Sequence, residues 1–173
     1  SYASLVAQGN HVTVFEIERT PGGAFRYAGR APQFQGVEAK QESLDAYVGE
    51  LERACMQDGV TFRYGVDVSK VPEVLRDYDR IVIATGAKYR FGCGPIIYWL
   101  LEHQWGKSQL MRRLFASERL RDWFYYRARK PTGGRCGALT RSGQKISVIG
   151  DAAQAGKGKE AIDSAFRTAY FAE

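Results

Sequence analysis

Paired cysteines, clustered histidines and long apolar runs are all missing from this chain of 173 residues, and each absence excludes a class of function. Cys55, Cys93 and Cys136 are the only cysteines, no two of them at CxxC spacing, and His11 and His103 stand alone. That pattern argues against a zinc site, an iron–sulfur site and a redox-disulfide pair. An odd, sparse cysteine count points to a reducing cytoplasm with unpaired thiols. The opening residues do not read as a signal peptide, and the longest apolar runs fall far short of a bilayer span. Wholesale disorder is also excluded, because 45% of the residues are hydrophobic and 13% aromatic. Length alone predicts one domain, or one domain with a short insertion.

The formal charge of +6 is placed unevenly. Between Lys107 and Arg141 ten basic residues face only Glu118 and Asp122, a local balance of +8 that leaves the rest of the chain at −2. Basicity confined to one segment argues against nucleic acid as the partner of the whole domain.

Strand-like and helix-like stretches alternate along most of the chain. Residues 1–8 read as the body of a helix closed by Gly9-Asn10. A domain seldom begins inside an uncapped helix, so this opening implies a segment upstream of Ser1, or one supplied by another chain. His11 to Glu16 reads as a buried parallel strand, and a loop follows through Pro21-Gly22-Gly23 to the polar stretch Ala31 to Gly36. From about Lys40 to Asp58, Leu44, Tyr47, Val48, Leu51, Ala54 and Cys55 recur at three and four residues, which predicts one amphipathic helix closed by Gly59. Val60 to Tyr64, Arg80 to Ala84 and Lys145 to Ile149 are strand candidates, and a last helix is expected from about Lys159 to Ala172. Such alternation predicts a mostly parallel sheet layered with helices.

Several short pieces point to a nucleotide. Glu16, an acid at a strand end, is placed either to accept hydrogen bonds from ribose hydroxyls or simply to lie in a loop. Gly22 and Gly23 shape a turn or let backbone approach a ligand. Thr85 and Gly86, small residues after a buried strand, leave room for a dinucleotide or merely make a tight exit. The run Gly150-Asp151-Ala152-Ala153 follows a buried strand and precedes a helix. Asp151 is then a ligand for ribityl hydroxyls or the cap of a turn, and the helix start beyond it, with Lys157 and Lys159, offers amides and positive charge to a pyrophosphate.

Taken in order, Gly9 to Glu16, Pro21-Gly22-Gly23, the amphipathic helix, Gly59 to Phe62, Ile81 to Gly86, and Ile149 to Ala153 with Glu160 to Ala169 resemble a known family. They look like the C-terminal nucleotide-binding module of the dienoyl-CoA reductase and trimethylamine dehydrogenase type flavoenzymes, and like the wider class of flavoprotein reductases. The resemblance covers roughly 110 residues. It implies an α/β, Rossmann-like three-layer fold, incomplete at its N-terminus because the family's first strand and Gly-x-Gly-x-x-Gly loop are absent. It implies one FAD-binding-like domain over residues 1–173, with residues 87–144 standing where the family places an NAD(P)-binding domain, so no NAD(P) site of the usual kind is expected. In this frame Glu16 holds the adenosine ribose, Gly22, Gly23, Thr85 and Gly86 line the dinucleotide, Asp151 holds the ribityl chain, Ala152 and Ala153 present backbone to the phosphates, and Gly150 belongs to the same cofactor-binding run.

The expected function is accordingly a flavin-dependent oxidoreductase domain or subunit of the cytoplasm that positions FAD for electron transfer. No catalytic acid, base or nucleophile stands out; His103 and Tyr98 lie in the stretch that replaces the NAD(P) domain, and a lone histidine such as His103 reads as structural. The competing expectation is a degenerate fold acting as a structural or interaction subunit, with ADP or no cofactor bound. The aromatic, arginine-rich stretch Ile96 to Tyr126 is then either a helical cover or a docking surface for another domain or protein subunit through residues 96–130. Membrane-surface attachment and nucleic-acid binding have no motif behind them.

Overall fold

The structure, a computed structural model, describes residues 3, 7, 9–30, 40–135, 143–156 and 158–170. The expected opening helix (apart from Ala3 and Ala7), the polar stretch 31–36, Cys136 and Lys157 lie outside them. The chain divides into two compact units, one of residues 1–21, 49–87 and 131–173 and the other of residues 22–48 and 88–130.

Two parallel strand pairs build the first unit. β1 (Thr13–Glu16) pairs with β2 (Thr61–Tyr64) in the register Thr13 to Thr61 through Glu16 to Tyr64. β3 (Arg80–Ile83) pairs with β6 (Lys145–Val148), Arg80 opposite Lys145 and Ile83 opposite Val148. β-branched and aromatic residues suit these pleated, half-covered positions. Ile81 and Ile83 are buried and cluster with Ala152 and the partly buried Leu75. Gln144 secures the loop that delivers β3, its side-chain amide donating to the carbonyls of Leu75 at 2.7 Å and Tyr78 at 2.6 Å. Tyr78 in turn meets the Phe15 ring of β1 edge-on, centroids 5.8 Å apart.

The amphipathic helix forms as the spacing predicts, as α2 (Gln41–Gln57), which runs from one unit into the other. Its end is a Schellman closure: the Gly59 amide donates to Met56 O (3.1 Å) and the Val60 amide to Cys55 O (2.9 Å). Gly59 takes a φ of +85°, a conformation costly for any residue with a Cβ. Cys55 and Val60, the pair that such a closure brings together, are both buried.

The second unit is helical and aromatic. It holds the short helix α1 (Phe25–Ala28), then α3 (Gly94–Glu102), α4 (Gln109–Leu114), α5 (Glu118–Asp122) and a π-turn over Trp123–Arg127. β4 (Ala87–Tyr89) and β5 (Arg129–Pro131) pair where the chain leaves for this unit and returns. α6 (Gly158–Tyr170) closes the first unit.

This arrangement corrects the expected fold class. Among the described residues the strands are distributed over three separate two-stranded sheets, β1–β2, β3–β6 and β4–β5, and do not form the continuous sheet of a three-layer Rossmann-like domain. The alternation of strands and helices is as expected; the pairing is not. Among the described residues no strand lies hydrogen-bonded between β1 and β3, so the carboxyl-edge crevice that a continuous sheet would offer a dinucleotide does not form.

Candidate functional site

The residues expected to hold a dinucleotide are engaged in local structure. Glu16 closes a turn at the end of β1, its Oε1 accepting the Glu18 amide at 3.1 Å. Gly22 and Gly23, in the second unit, take φ of +115° and +49°, and a Cβ on Gly22 would stand 3.3 Å from the Val48 side chain. The Thr85 hydroxyl lies 2.7 Å from that of Thr132, which donates to Gly86 O at 2.6 Å, so this strand exit is tied to the residue after β5. Gly150–Ala152 form a single 3-10 turn, and the Ala153 amide returns to Gly150 O at 2.9 Å.

Asp151 caps that turn, Oδ1 accepting the Gly156 amide at 3.2 Å. The Gly150 amide is bonded to the Ser164 hydroxyl at 3.2 Å. The α6 helix starts only at Gly158, beyond the residues that were expected to present amides to a phosphate. Ala152 is the most buried residue of this group, at 2% exposure, and packs into the Ile81 and Ile83 cluster. The flavin assignment is therefore corrected with the fold: the Gly-Asp-Ala-Ala run makes a capped turn, and FAD binding, electron transfer and a flavin-dependent oxidoreductase site have no support in this arrangement. The same holds for ADP as a bound cofactor. Among the described residues no group of three or more His, Cys, Asp or Glu is placed to hold a metal ion.

Among the described residues, two side chains have displaced protonation equilibria. Burial, then the hydrogen bond to Glu52 and the carboxylates of Glu52 and Glu16, push the Tyr64 phenol well above its ordinary range. The Ser69 hydroxyl and amide, with Lys70, hold the Asp67 carboxyl below the usual carboxylate range. Both are structural: Tyr64 joins β2 to α2, and Asp67 caps a turn.

The second unit presents the most distinctive surface. A chain of ring contacts laces it, Tyr27 to Tyr98 (5.2 Å), Tyr98 to Tyr89 (5.9 Å), Tyr89 to Phe124 (5.4 Å) and Phe124 to Phe115 (5.3 Å), all tilted or edge-on, with Tyr98 itself still 40% exposed. Such pairs contribute about 0.5–1.5 kcal/mol each beyond the area they bury. Tyr98 turns one face of α3 toward this chain. Ile96 and Trp99, three residues apart on that helix, are 63% and 50% exposed, and the Trp99 ring lies 4.5 Å from that of His103 one turn on. On α4, capped by Ser108 at its start, Leu110 and Leu114 share a face with Arg113, and Leu110 is 65% exposed. Trp105 and Trp123 are 57% and 47% exposed, so all three tryptophans of the chain are half open to solvent.

Among the described residues Phe91 is the most exposed large apolar side chain at 86%, and its backbone holds φ at +59°, a left-handed geometry rare outside glycine. Around these groups the charge is one-sided. Between Lys88 and Lys130 ten basic residues stand against Glu102, Glu118 and Asp122. Lys107, Arg112, Arg113, Arg119 and Arg127 are exposed, whereas Arg121 turns back to cap α4, donating to the carbonyls of Phe115 (3.0 Å) and Ala116 (2.9 Å). The sequence signalled this surface by composition; which rings point outward was not readable from spacing.

No helix among the described residues is long and apolar enough to cross a membrane. Compared with models of known protein families, with curated proteins and with solved structures, the chain matches none, so the resemblance to dienoyl-CoA reductase and trimethylamine dehydrogenase type flavoenzymes is not upheld.

Proposed function

We propose that this chain is a structural or interaction subunit that attaches itself to a larger assembly through residues 96–130. One observation carries the reading: large apolar side chains on α3 and α4, and tryptophans beside them, lie open among arginines. Aromatic residues and arginine are the residue types that concentrate binding energy at interfaces, and this stretch is rich in both. The contacts among Tyr27, Tyr98 and Tyr89 tie the unit together without Ile96, Trp99 or Leu110, and those three are the side chains this reading offers to a partner. The sparse, widely spaced cysteines favour the cytoplasm as the place of work.

The test separates docking residues from core residues by stability. Replacing Ile96, Trp99 and Leu110 singly by Ser should change unfolding free energy by no more than about 0.5–1 kcal/mol, as expected of exposed positions. Losses on the order of 2–5 kcal/mol, the range of emptied core sites, would show that these side chains hold the fold and would refute the docking reading.

A further inference from the structure

The chemistry of this surface fits a lipid surface as its occupant, and the inference rests on the reading above only in taking Ile96, Trp99 and Leu110 as docking residues. We infer that residues 88–130 form an interfacial anchor that seats the chain on an anionic lipid bilayer. Three features point there together. The three tryptophans, Trp99, Trp105 and Trp123, are all half exposed, and indole rings settle at the boundary between headgroups and acyl chains. Short helices present apolar stripes, Ile96 and Trp99 on α3 and Leu110 and Leu114 on α4, with Arg112 and Arg113 directly beside the second stripe. Apolar faces bordered by arginines describe elements that lie in a membrane surface, where long basic side chains reach out to the headgroups.

Charge supplies the complementarity. Ten basic residues against three acidic ones between Lys88 and Lys130 match the negative potential of a cytoplasmic leaflet. The rest of the chain is acidic on balance, which directs the attraction to this segment. Phe91, held out on a left-handed turn, adds a side chain shaped for shallow insertion. An acidic protein would meet the same charge, but no complementary partner is needed to explain three half-exposed tryptophans among arginines.

The experiment uses the full chain with phosphatidylcholine vesicles, with and without about one-third phosphatidylglycerol. Co-sedimentation should be roughly tenfold or more stronger on the anionic vesicles, weaken in high salt, and shift tryptophan emission to the blue. The double variant Arg112→Glu/Arg113→Glu should lose roughly tenfold in binding. Trp99→Ser should also bind less, whereas Trp99→Phe should recover most of that loss. Circular dichroism and thermal unfolding of each variant separate a binding defect from a folding defect.

Failure to sediment with either vesicle overturns the bilayer as occupant, and so does equal binding to both that ignores salt. Salt-sensitive binding to poly-L-glutamate with no vesicle binding would assign the surface to an acidic protein instead, which overturns this inference and leaves the docking reading standing. The docking reading itself falls if the serine variants lose stability on the scale of emptied core sites.

Discussion

Two neighbouring glycines, Gly133 and Gly134, should respond to alanine in opposite directions. A Cβ on Gly133 would stand 2.7 Å from Ala152 O and 3.3 Å from Ala152 C, and closer still to the Val148 side chain. The Val148 contact can be relieved by rotation of an exposed side chain at the end of β6. The Ala152 contact cannot, because that residue is 2% exposed and packs against Ile81 and Ile83. Relief requires the 3-10 turn Gly150–Ala152 to lift, loosening the cluster beneath it. Overpacking of this kind costs about 1–3 kcal/mol, against which the lower entropy of an unfolded chain carrying Ala recovers about 0.4–1 kcal/mol. Gly133→Ala should therefore destabilise the protein by about 0.5–2 kcal/mol net. Gly134 has no atom within 4 Å of a built Cβ and no positive φ, so Gly134→Ala should stabilise by about 0.4–1 kcal/mol. Urea unfolding of both variants against the parent, followed by circular dichroism, gives the two signs directly. Equal effects at the two positions would refute the packing of residue 133 on Ala152.

Gln144→Ala removes both donors to the Leu75 and Tyr78 carbonyls and should cost about 1–2 kcal/mol; an unchanged urea midpoint would show that the loop before β3 does not depend on them. Tyr64 predicts a loss of stability in alkali. Its folded phenol is raised above the unfolded value of about 10, so its contribution is complete below that pH and declines as the pH climbs toward the folded value, since the unfolded chain releases the proton first. Tyr64→Phe should reduce the slope of stability against pH in that window by up to about one proton, and an unaltered slope would rule out Tyr64 as its source.

What was legible in the sequence was local. α2 ends in the residues its three-and-four spacing and Gly59 announce, and the strands β1, β2, β3 and β6 lie within one or two residues of the runs that predicted them. Pairing was not legible, because an apolar run specifies a strand but not its neighbour. β3 and β6 are separated by the whole of β4 to β5, and only the three-dimensional packing of Ile81, Ile83 and Ala152 brings them side by side. The candidate nucleotide residues were ambiguous for a related reason. An acid and small residues after a strand satisfy the pattern of a ligand cradle and also that of a capped turn, and Asp151, bonded to the Gly156 amide, realises the second. Gln144, which carries no pattern at all, had no signal that could have found it.

The second unit poses the opposite problem, since its composition was conspicuous while its direction was hidden. α3 carries Ile96, Ile97, Tyr98, Trp99, Leu100 and Leu101 in succession, so apolar residues surround the helix and no moment can say which side is covered. A helix apolar on every side belongs inside a core, inside a membrane, or between two bodies. At nine residues α3 is less than half a bilayer span, which excludes the second case. The first would require its outward face to be buried, yet Ile96 and Trp99 remain at least half exposed while Tyr98 alone joins the ring chain. That leaves a boundary. On the docking reading proposed above, Tyr98 meets Tyr27 and Tyr89 while Ile96 and Trp99 take an apolar occupant whose negative charge suits Lys107, Arg112 and Arg113, which follow within the next turns of chain. Charge of the same sign brought to that rim, as in a vesicle carrying cationic lipid, should repel the segment however much apolar area it offers.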